Sequence, residues 1–190
     1  KNEEPEDHFK FDIRRSWVMN VTADINQTET IVEETEKTKL IRDGNGALLK
    51  YWKDGSGTPE HVDFEVKDRQ RWLDSIKPKL LDEDNLEKRI DFEQYRNIRN
   101  HAKQKDLYFV WGGTNVFECI HPVCGHEYFL MGMALDPDWV NDMCETYANL
   151  IIKLQQILFE KEGWPDGVWY YEDMGFKGKP FMSPEMYKNL

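Results

Sequence analysis

The sequence predicts an α/β fold, in which short buried strands alternate with long helices in the second half of the chain. Residues 107–111 and 168–171 are continuous apolar runs, which are typical of strands buried on both faces of a parallel sheet. Between Pro137 and Gly163, apolar residues recur at helical spacing and predict one long helix. Strand, helix and strand in this order indicate a parallel βαβ unit.

The predicted βαβ unit has defined connections. We expect residues 107–111 and 168–171 to be adjacent parallel strands, joined by a right-handed crossover through a helix at 137–161. Asp136 is expected to cap this helix, because it stands directly before Pro137 at the first helical position. A further helix should open at Ser183-Pro184-Glu185.

The first 80 residues are strand-rich. Asp43-Gly44-Asn45-Gly46 is a strong turn signal between two β-prone runs. Residues 61–66 alternate apolar and polar side chains, which predicts a strand with one buried face. The strands expected in this part of the chain are residues 30–32, 38–41, 47–52 and 61–66. Helices are expected at residues 68–76 and 91–104.

Composition narrows the possible function and location. The 190 residues include 36 acidic and 25 basic side chains, which give a formal net charge of −11. An acidic surface repels the phosphate backbone of nucleic acids, and no apolar run is long enough to cross a membrane. The start of the chain lacks the apolar region of a signal peptide. Three cysteines in segments expected to be helical and buried indicate a reducing compartment. We therefore expect a cytoplasmic protein that neither binds nucleic acid nor spans a membrane.

Residues 166–187 carry a resemblance to a known superfamily. Their sequence, DGVWYYEDMGFKGKPFMSPEMY, contains a strand that ends in an acidic pair, a glycine-containing loop and a Ser-Pro-Glu helix start. Gly112-Gly113 and residues 130–137 look similar to the preceding unit, and residues 43–66 resemble an insertion. On these residues most of the chain resembles the uroporphyrinogen decarboxylase superfamily, including its cobalamin- and zinc-dependent methyltransferase-like members.

The resemblance implies a TIM (β/α)8 barrel of the uroporphyrinogen decarboxylase type. Only two convincing barrel strands follow residue 105, whereas a complete barrel takes about 250 residues. We therefore expect a partial (β/α) barrel at residues 106–190, preceded at residues 1–105 by a strand-rich insertion with helices. Because an open barrel leaves strand edges unpaired, the protein should be a homo-oligomer or be completed by further segments of its own chain.

The resemblance also implies an activity. The superfamily contains uroporphyrinogen decarboxylase, a lyase that removes carboxylates from a tetrapyrrole (porphyrin precursor) without a cofactor. It also contains zinc-dependent methyltransferases that exchange methyl groups with corrinoid proteins or thiols. We expect a methyltransferase-like enzyme acting on a small molecule, with a corrinoid protein as partner. The alternatives are a true uroporphyrinogen decarboxylase and a non-catalytic or truncated barrel domain. The zinc ligands of the methyltransferases are implied to lie downstream of Leu190, so we expect no cofactor within this chain and zinc only in a full-length protein.

Candidate site residues follow the two buried strands, because barrel geometry directs strand ends to the active site. Glu172 and Asp173 are the expected catalytic residues, which would orient substrate or transfer a proton. A helix cap or an ion-paired loop is the alternative for this pair. The expected substrate-binding residues are Trp111, Thr114, Asn115, Glu118, His126 and Tyr171. For the first three, a tight turn beside a packed tryptophan is the alternative.

The segment Cys119-x-His121-x-x-Cys124-x-His126 has the residue types and the compact spacing of a zinc site. Thiolate ligands favour a knuckle or a loop, whereas this segment looks like a loop that enters a helix. We therefore predict that the four side chains do not jointly bind zinc, and we assign no metal ligand in this chain. The alternative is a pair of buried cysteines beside two surface or capping histidines.

Overall fold

The computed structural model describes residues 5–27 and 29–189. Its strands are β1 (Ile13–Ser16), β2 (Thr30–Glu34), β3 (Thr38–Arg42), β4 (Ala47–Trp52), β5 (Glu60–Phe64), β6 (Tyr108–Thr114), β7 (Gly167–Tyr171), β8 (Gly175–Phe176) and β9 (Lys179–Pro180). Its α-helices are α1 (Pro5–His8), α2 (Arg69–Arg71), α3 (Lys77–Leu80), α4 (Phe92–Gln104), α5 (Val116–Leu135), α6 (Pro137–Glu162) and α7 (Pro184–Lys188). A π-helical turn, Trp72–Ile76, joins α2 to α3.

The described chain forms two compact units. The first contains the chain up to Asn20, Glu83–Asn115 and Ile151–Tyr171. The second contains Val21–Asp82, Val116–Leu150 and the chain from Glu172 onward. Each unit therefore combines segments from both sides of residue 105, and helix α6 contributes its first part to one unit and its last part to the other.

The first unit is built on a parallel sheet with the strand order β1-β6-β7. Val110 pairs with Gly167 and Trp111 with Val168, so the two apolar runs are adjacent and parallel, as the sequence predicts. Strand β6 is longer than expected and includes Gly112 and Gly113. The strand on its other side is β1, in which Ser16 pairs with Trp111.

Helices α4 and α6 supply the core that packs on this sheet. Tyr95 is fully buried and meets the Phe109 ring edge-on, at 4.8 Å between ring centroids. The Tyr95 hydroxyl donates a hydrogen bond to the Gly163 carbonyl oxygen at 3.0 Å. Phe159 lies edge-on to Trp111 at 6.4 Å, so strand and helix side chains interlock.

The second unit contains an antiparallel sheet with the order β2-β3-β4-β5. Its strands follow one another along the chain because short turns connect them. In the turn between β3 and β4, the Asp43 carboxylate accepts hydrogen bonds from the backbone N–H groups of Asn45, at 2.9 Å, and Ala47, at 2.8 Å. Gly46 has a φ of 79°, which few residues other than glycine adopt.

Helices of the second unit are fixed by buried aromatic and charged contacts. Trp72 is fully buried, and its Nε1 donates a hydrogen bond to the Asp142 carboxylate at 2.7 Å. Asp136 precedes α6 and accepts a hydrogen bond from the Trp139 backbone N–H at 3.4 Å, which agrees with the cap expected there. Arg69 forms an ion pair with the same Asp136.

The expected TIM (β/α)8 barrel, whole or partial, is wrong. The parallel sheet of the described residues has three strands, and the strand-rich part of the chain forms a separate antiparallel sheet of four. A barrel requires parallel strands that close on themselves. Consecutive strands joined by tight turns can pair only antiparallel, so β2 to β5 cannot supply barrel strands. Throughout residues 5–27 and 29–189, no helix combines the length and the apolar character that a membrane span requires.

Candidate functional site

The N-terminus of helix α5 is held by Glu172. The Glu172 carboxylate accepts hydrogen bonds at 3.2 Å from the backbone N–H groups of Phe117 and Glu118, one on each oxygen. The first N–H groups of a helix have no partner within the helix, and their partial positive charge favours a carboxylate. Glu172 therefore acts as a helix cap, which is the alternative weighed for it, and this contact fixes its position beside Glu118.

Glu118 and His121 form a carboxylate–imidazole pair one turn into α5. Glu118 Oε2 lies 3.1 Å from His121 Nε2, and Glu118 Oε1 accepts a hydrogen bond from the Asp173 backbone N–H at 3.0 Å. The two side chains are only 12% and 18% exposed, so the pair is shielded but within reach of solvent. Of the expected site residues, Glu118, Glu172 and Asp173 thus come together.

Rings surround this pair in the second unit. His126 stacks on His121, with ring centroids 4.6 Å apart and planes inclined by 14°. Phe181 stacks on His126 at 4.6 Å, and Phe117 is 5.7 Å from Phe181. His61, on strand β5, stands edge-on to His121 at 6.3 Å. His126, an expected site residue, therefore lies beside the Glu118–His121 pair.

Burial moves the proton affinities of the carboxyl and imidazole groups in opposite directions. It raises the pKa of Glu172, and the nearby negative charge of Glu118 adds to the rise. It lowers the pKa of His126 and of His61, and His121 lowers both further. Shifts of opposite sign bring the titration of Glu172 closer to that of His126 and His61.

The cysteines near this group are buried thiols. Cys119 and Cys124 both lie inside α5, and burial raises the pKa of Cys124 to about 12. Burial likewise raises the pKa of Cys144 to about 12. Within residues 5–27 and 29–189, no three histidine, cysteine or acidic side chains are arranged to hold a metal ion. That Cys119, His121, Cys124 and His126 do not jointly bind zinc stays a prediction, which elemental analysis tests.

Four expected substrate-binding residues belong to the first unit. Trp111 is 1% exposed and packs between Phe159 and Tyr170, so it is a core residue in this structure. Thr114 and Tyr171 pair across strands β6 and β7, and the Asn115 backbone N–H donates a hydrogen bond to the Tyr171 carbonyl oxygen at 2.9 Å. Tyr171 is 42% exposed.

His61 and Phe181 belong to the group of rings around Glu118 and His121. The sequence does not indicate either residue as part of a site. His61 lies on a strand that was expected only to bury one face, and Phe181 follows a short hairpin formed by β8 and β9. His121 was considered only as a zinc ligand. A histidine in an alternating strand carries no signal of its own, because its partners are some 60 residues away in the sequence.

Comparisons of the chain with protein-family models, with curated proteins and with solved structures found no match. The resemblance to the uroporphyrinogen decarboxylase superfamily therefore rests on the quoted residues alone.

Proposed function

We propose that the chain carries a proton-transfer site of an enzyme that acts on a small molecule, with Glu118 and His121 as the transferring pair. The observation that carries this proposal is the 3.1 Å contact between the Glu118 carboxylate and His121 Nε2 in a shielded position. In such a pair the carboxylate orients the imidazole and stabilises its protonated form, while the second ring nitrogen gives or takes a proton.

Glu172 and Asp173 have supporting roles in this proposal. Glu172 holds the first turn of α5 in place, so it sets the position of Glu118, and its raised pKa makes it a second group able to carry a proton. The Asp173 backbone N–H binds the other oxygen of Glu118, which leaves the Glu118 carboxylate with one orientation toward His121.

The reaction class is a separate proposal, and the resemblance of residues 166–187 supports it. We propose methyl transfer involving a corrinoid partner, with removal of a carboxylate from a tetrapyrrole as the alternative. Decarboxylation needs a proton at the carbon that loses CO2, which the Glu118–His121 pair could supply directly. Methyl transfer needs an activated thiol, which the resemblance implies is activated by zinc.

Two assays separate these reactions. Methyl transfer from methylcobalamin to a thiol is followed by the absorbance of the corrin, and decarboxylation by release of CO2 from uroporphyrinogen. In whichever reaction occurs, Glu118→Gln should reduce kcat by about 10²- to 10⁴-fold, the usual contribution of acid–base catalysis. Glu127→Gln is the matched control, because Glu127 is exposed on the same helix.

Each outcome decides a different part of the proposal. Activity that survives Glu118→Gln and His121→Gln unchanged would refute the proton-transfer pair. The absence of both reactions, in a protein that melts cooperatively, would refute the reaction class and favour the non-catalytic alternative.

A further inference from the structure

Three of the five histidines of the chain meet in one place. His121 and His126 are stacked with ring centroids 4.6 Å apart, and His61 stands edge-on to His121 at 6.3 Å. Phe181 closes the stack on the far side of His126, also at 4.6 Å. These three histidines and Phe181 are called the histidine stack below.

The histidine stack depends on a break in helix α5. Residues five apart on a regular helix point about 140° away from each other, so His121 and His126 could not stack in one. Gly125 has φ 72° and ψ 162°, which interrupts the helix immediately before His126. The Phe64 ring packs against Gly125, at the end of the same strand that carries His61. The stacking of His121 on His126 therefore requires the kink at Gly125.

Carboxylates on several elements surround the histidine stack and can compensate one positive charge. Glu118 faces His121, with 3.1 Å between Glu118 Oε2 and His121 Nε2. Asp43, from the turn between β3 and β4, favours protonation of His61, and Asp173 favours that of His126. Glu172 lies beside Glu118 and His121, and the Cys144 thiol on α6 faces Glu172. Burial opposes a charge on either His61 or His126.

A second proton brings two positive charges into contact. Stacked imidazolium rings repel each other, and the half-buried position of His126 leaves little water to screen the repulsion. The carboxylate best placed to compensate, Glu118, is already engaged by His121 and by the Asp173 backbone. Separation of the rings, by movement at the Gly125 kink and of the segment that carries Phe181, relieves the repulsion.

We propose that the histidine stack is a pH-sensitive latch on the kink of helix α5. The latch is closed when His126 and His61 are neutral, and it opens when they take up protons below the ordinary histidine pKa of about 6.5. Its regulatory consequence rests on the proposed function, because His121 belongs both to the latch and to the proton-transfer pair. The latch itself does not depend on any catalytic activity.

Hydrogen exchange and NMR test the latch without a substrate. Exchange of residues 116–130 and 175–183 is measured between pH 5 and 8 and expressed as protection factors, while histidine ring signals report each titration. We expect protection of both segments to fall at least about tenfold as the pH drops through the His126 titration. His126→Phe keeps a stacking ring that cannot be charged, so protection should stay constant with pH.

Matched variants make the result decisive. His101→Phe, in helix α4 of the first unit, should leave the transition unchanged. Should His126→Phe fail to fold, His61→Gln removes a charge that lowers the pKa of His126, so the transition should move to higher pH. Protection that does not vary with pH, a transition that survives in His126→Phe, or a transition that His61→Gln leaves at the same pH would each overturn the latch. Neither result bears on kcat, so the latch and the proposed function fail independently.

Discussion

Replacing Gly125 by alanine should destabilise the second unit strongly. Gly125 combines φ 72° with ψ 162°, a backbone region that is essentially confined to glycine. Forcing another residue into such a region costs about 1–3 kcal/mol. An alanine Cβ would also lie 2.9 Å from Phe64 Cζ, and Phe64 Cε2 would be nearer still. Overpacking of this kind costs about 1–3 kcal/mol.

The two costs together amount to about 2–6 kcal/mol of unfolding free energy. Because total stabilities are only about 5–15 kcal/mol, the loss should be visible as a large shift of the urea midpoint. Tryptophan fluorescence is a suitable probe, since Trp72 and Trp139 are both buried in this unit. The m-value should be unchanged, because the same surface is exposed on unfolding.

Two further variants separate the backbone cost from the steric cost. Gly55 has φ 73° and no atom within 4 Å of an added Cβ, so Gly55→Ala should show only a backbone effect. In the double variant Gly125→Ala/Phe64→Ala, the steric part should disappear and the two single losses should not add. A Gly125→Ala variant within about 0.5 kcal/mol of the parent protein would refute the strained kink on which the stacked histidines depend.

Other expectations follow from single contacts. Tyr95→Phe removes the hydroxyl that donates to the Gly163 carbonyl oxygen, and we expect a loss of about 1–3 kcal/mol in chemical denaturation; an unchanged midpoint would show that this hydrogen bond is not needed. Because burial raises the pKa of Cys124 and Cys144 to about 12, both thiols should react with iodoacetamide at pH 8 about a thousandfold more slowly than free cysteine, as followed by mass spectrometry. Elemental analysis of the same protein should find no zinc bound by Cys119, His121, Cys124 and His126; about one zinc per chain that is lost in Cys124→Ser would contradict this expectation.

The pH dependence of stability should show both kinds of shifted group. The pKa of His126 is lower in the folded protein, so its contribution is complete above the unfolded value and is lost as the pH falls through the folded value. The pKa of Glu172 is higher in the folded protein, so its contribution is present at acidic pH and is lost as the pH rises through the folded value. The two effects oppose each other in the mildly acidic range.

Strand pairing was predictable because it follows from local composition. Residues 107–111 and 168–171 lack charged side chains, which predicts strands, and the helical segment between them leaves parallel pairing as the simplest connection. The expected burial on both faces is wrong for residues 168–171, whose side chains are 38–54% exposed. The helix cap at Asp136 is equally local. The third strand, β1, escaped prediction because Arg14 and Arg15 interrupt its apolar pattern.

Whether the strands close into a barrel could not be predicted from these local sequence patterns. Closure depends on how many strands pair and in which order, whereas each apolar run reports only its own burial. The turn signal at residues 43–46 already favoured an antiparallel neighbour for residues 47–52, and that local signal proved more informative than the resemblance. In the candidate site, Glu118 and Glu172 could be proposed from their places after strands. The ring contacts of His61 and Phe181 could not, because they depend on the Gly125 kink and on the tertiary packing of the second unit.

Strand β7 leaves the parallel sheet of the first unit with an open apolar edge. Among the described strands it pairs only with β6. None of its residues is charged, and its four side chains from Val168 to Tyr171 are 38–54% exposed. Edge strands usually carry charged residues or bulges that prevent pairing with other chains. Strand β5, at an edge of the antiparallel sheet, has such protection in Glu60 and Asp63.

We therefore expect this 22.7 kDa chain to self-associate through β7, with a mass in light scattering that rises with concentration. Val168→Lys places a charge on the open edge and should return the protein to the monomer mass. Val62→Lys is the matched control, because Val62 is 48% exposed on the edge strand β5, which already bears charges. A parent protein that remains monomeric at every concentration and melts cooperatively would refute the expectation. It would show that an uncharged edge strand of this length is stable in contact with solvent. Equal effects of the two lysine substitutions would refute it as well, because association would then respond to net charge and not to the β7 edge.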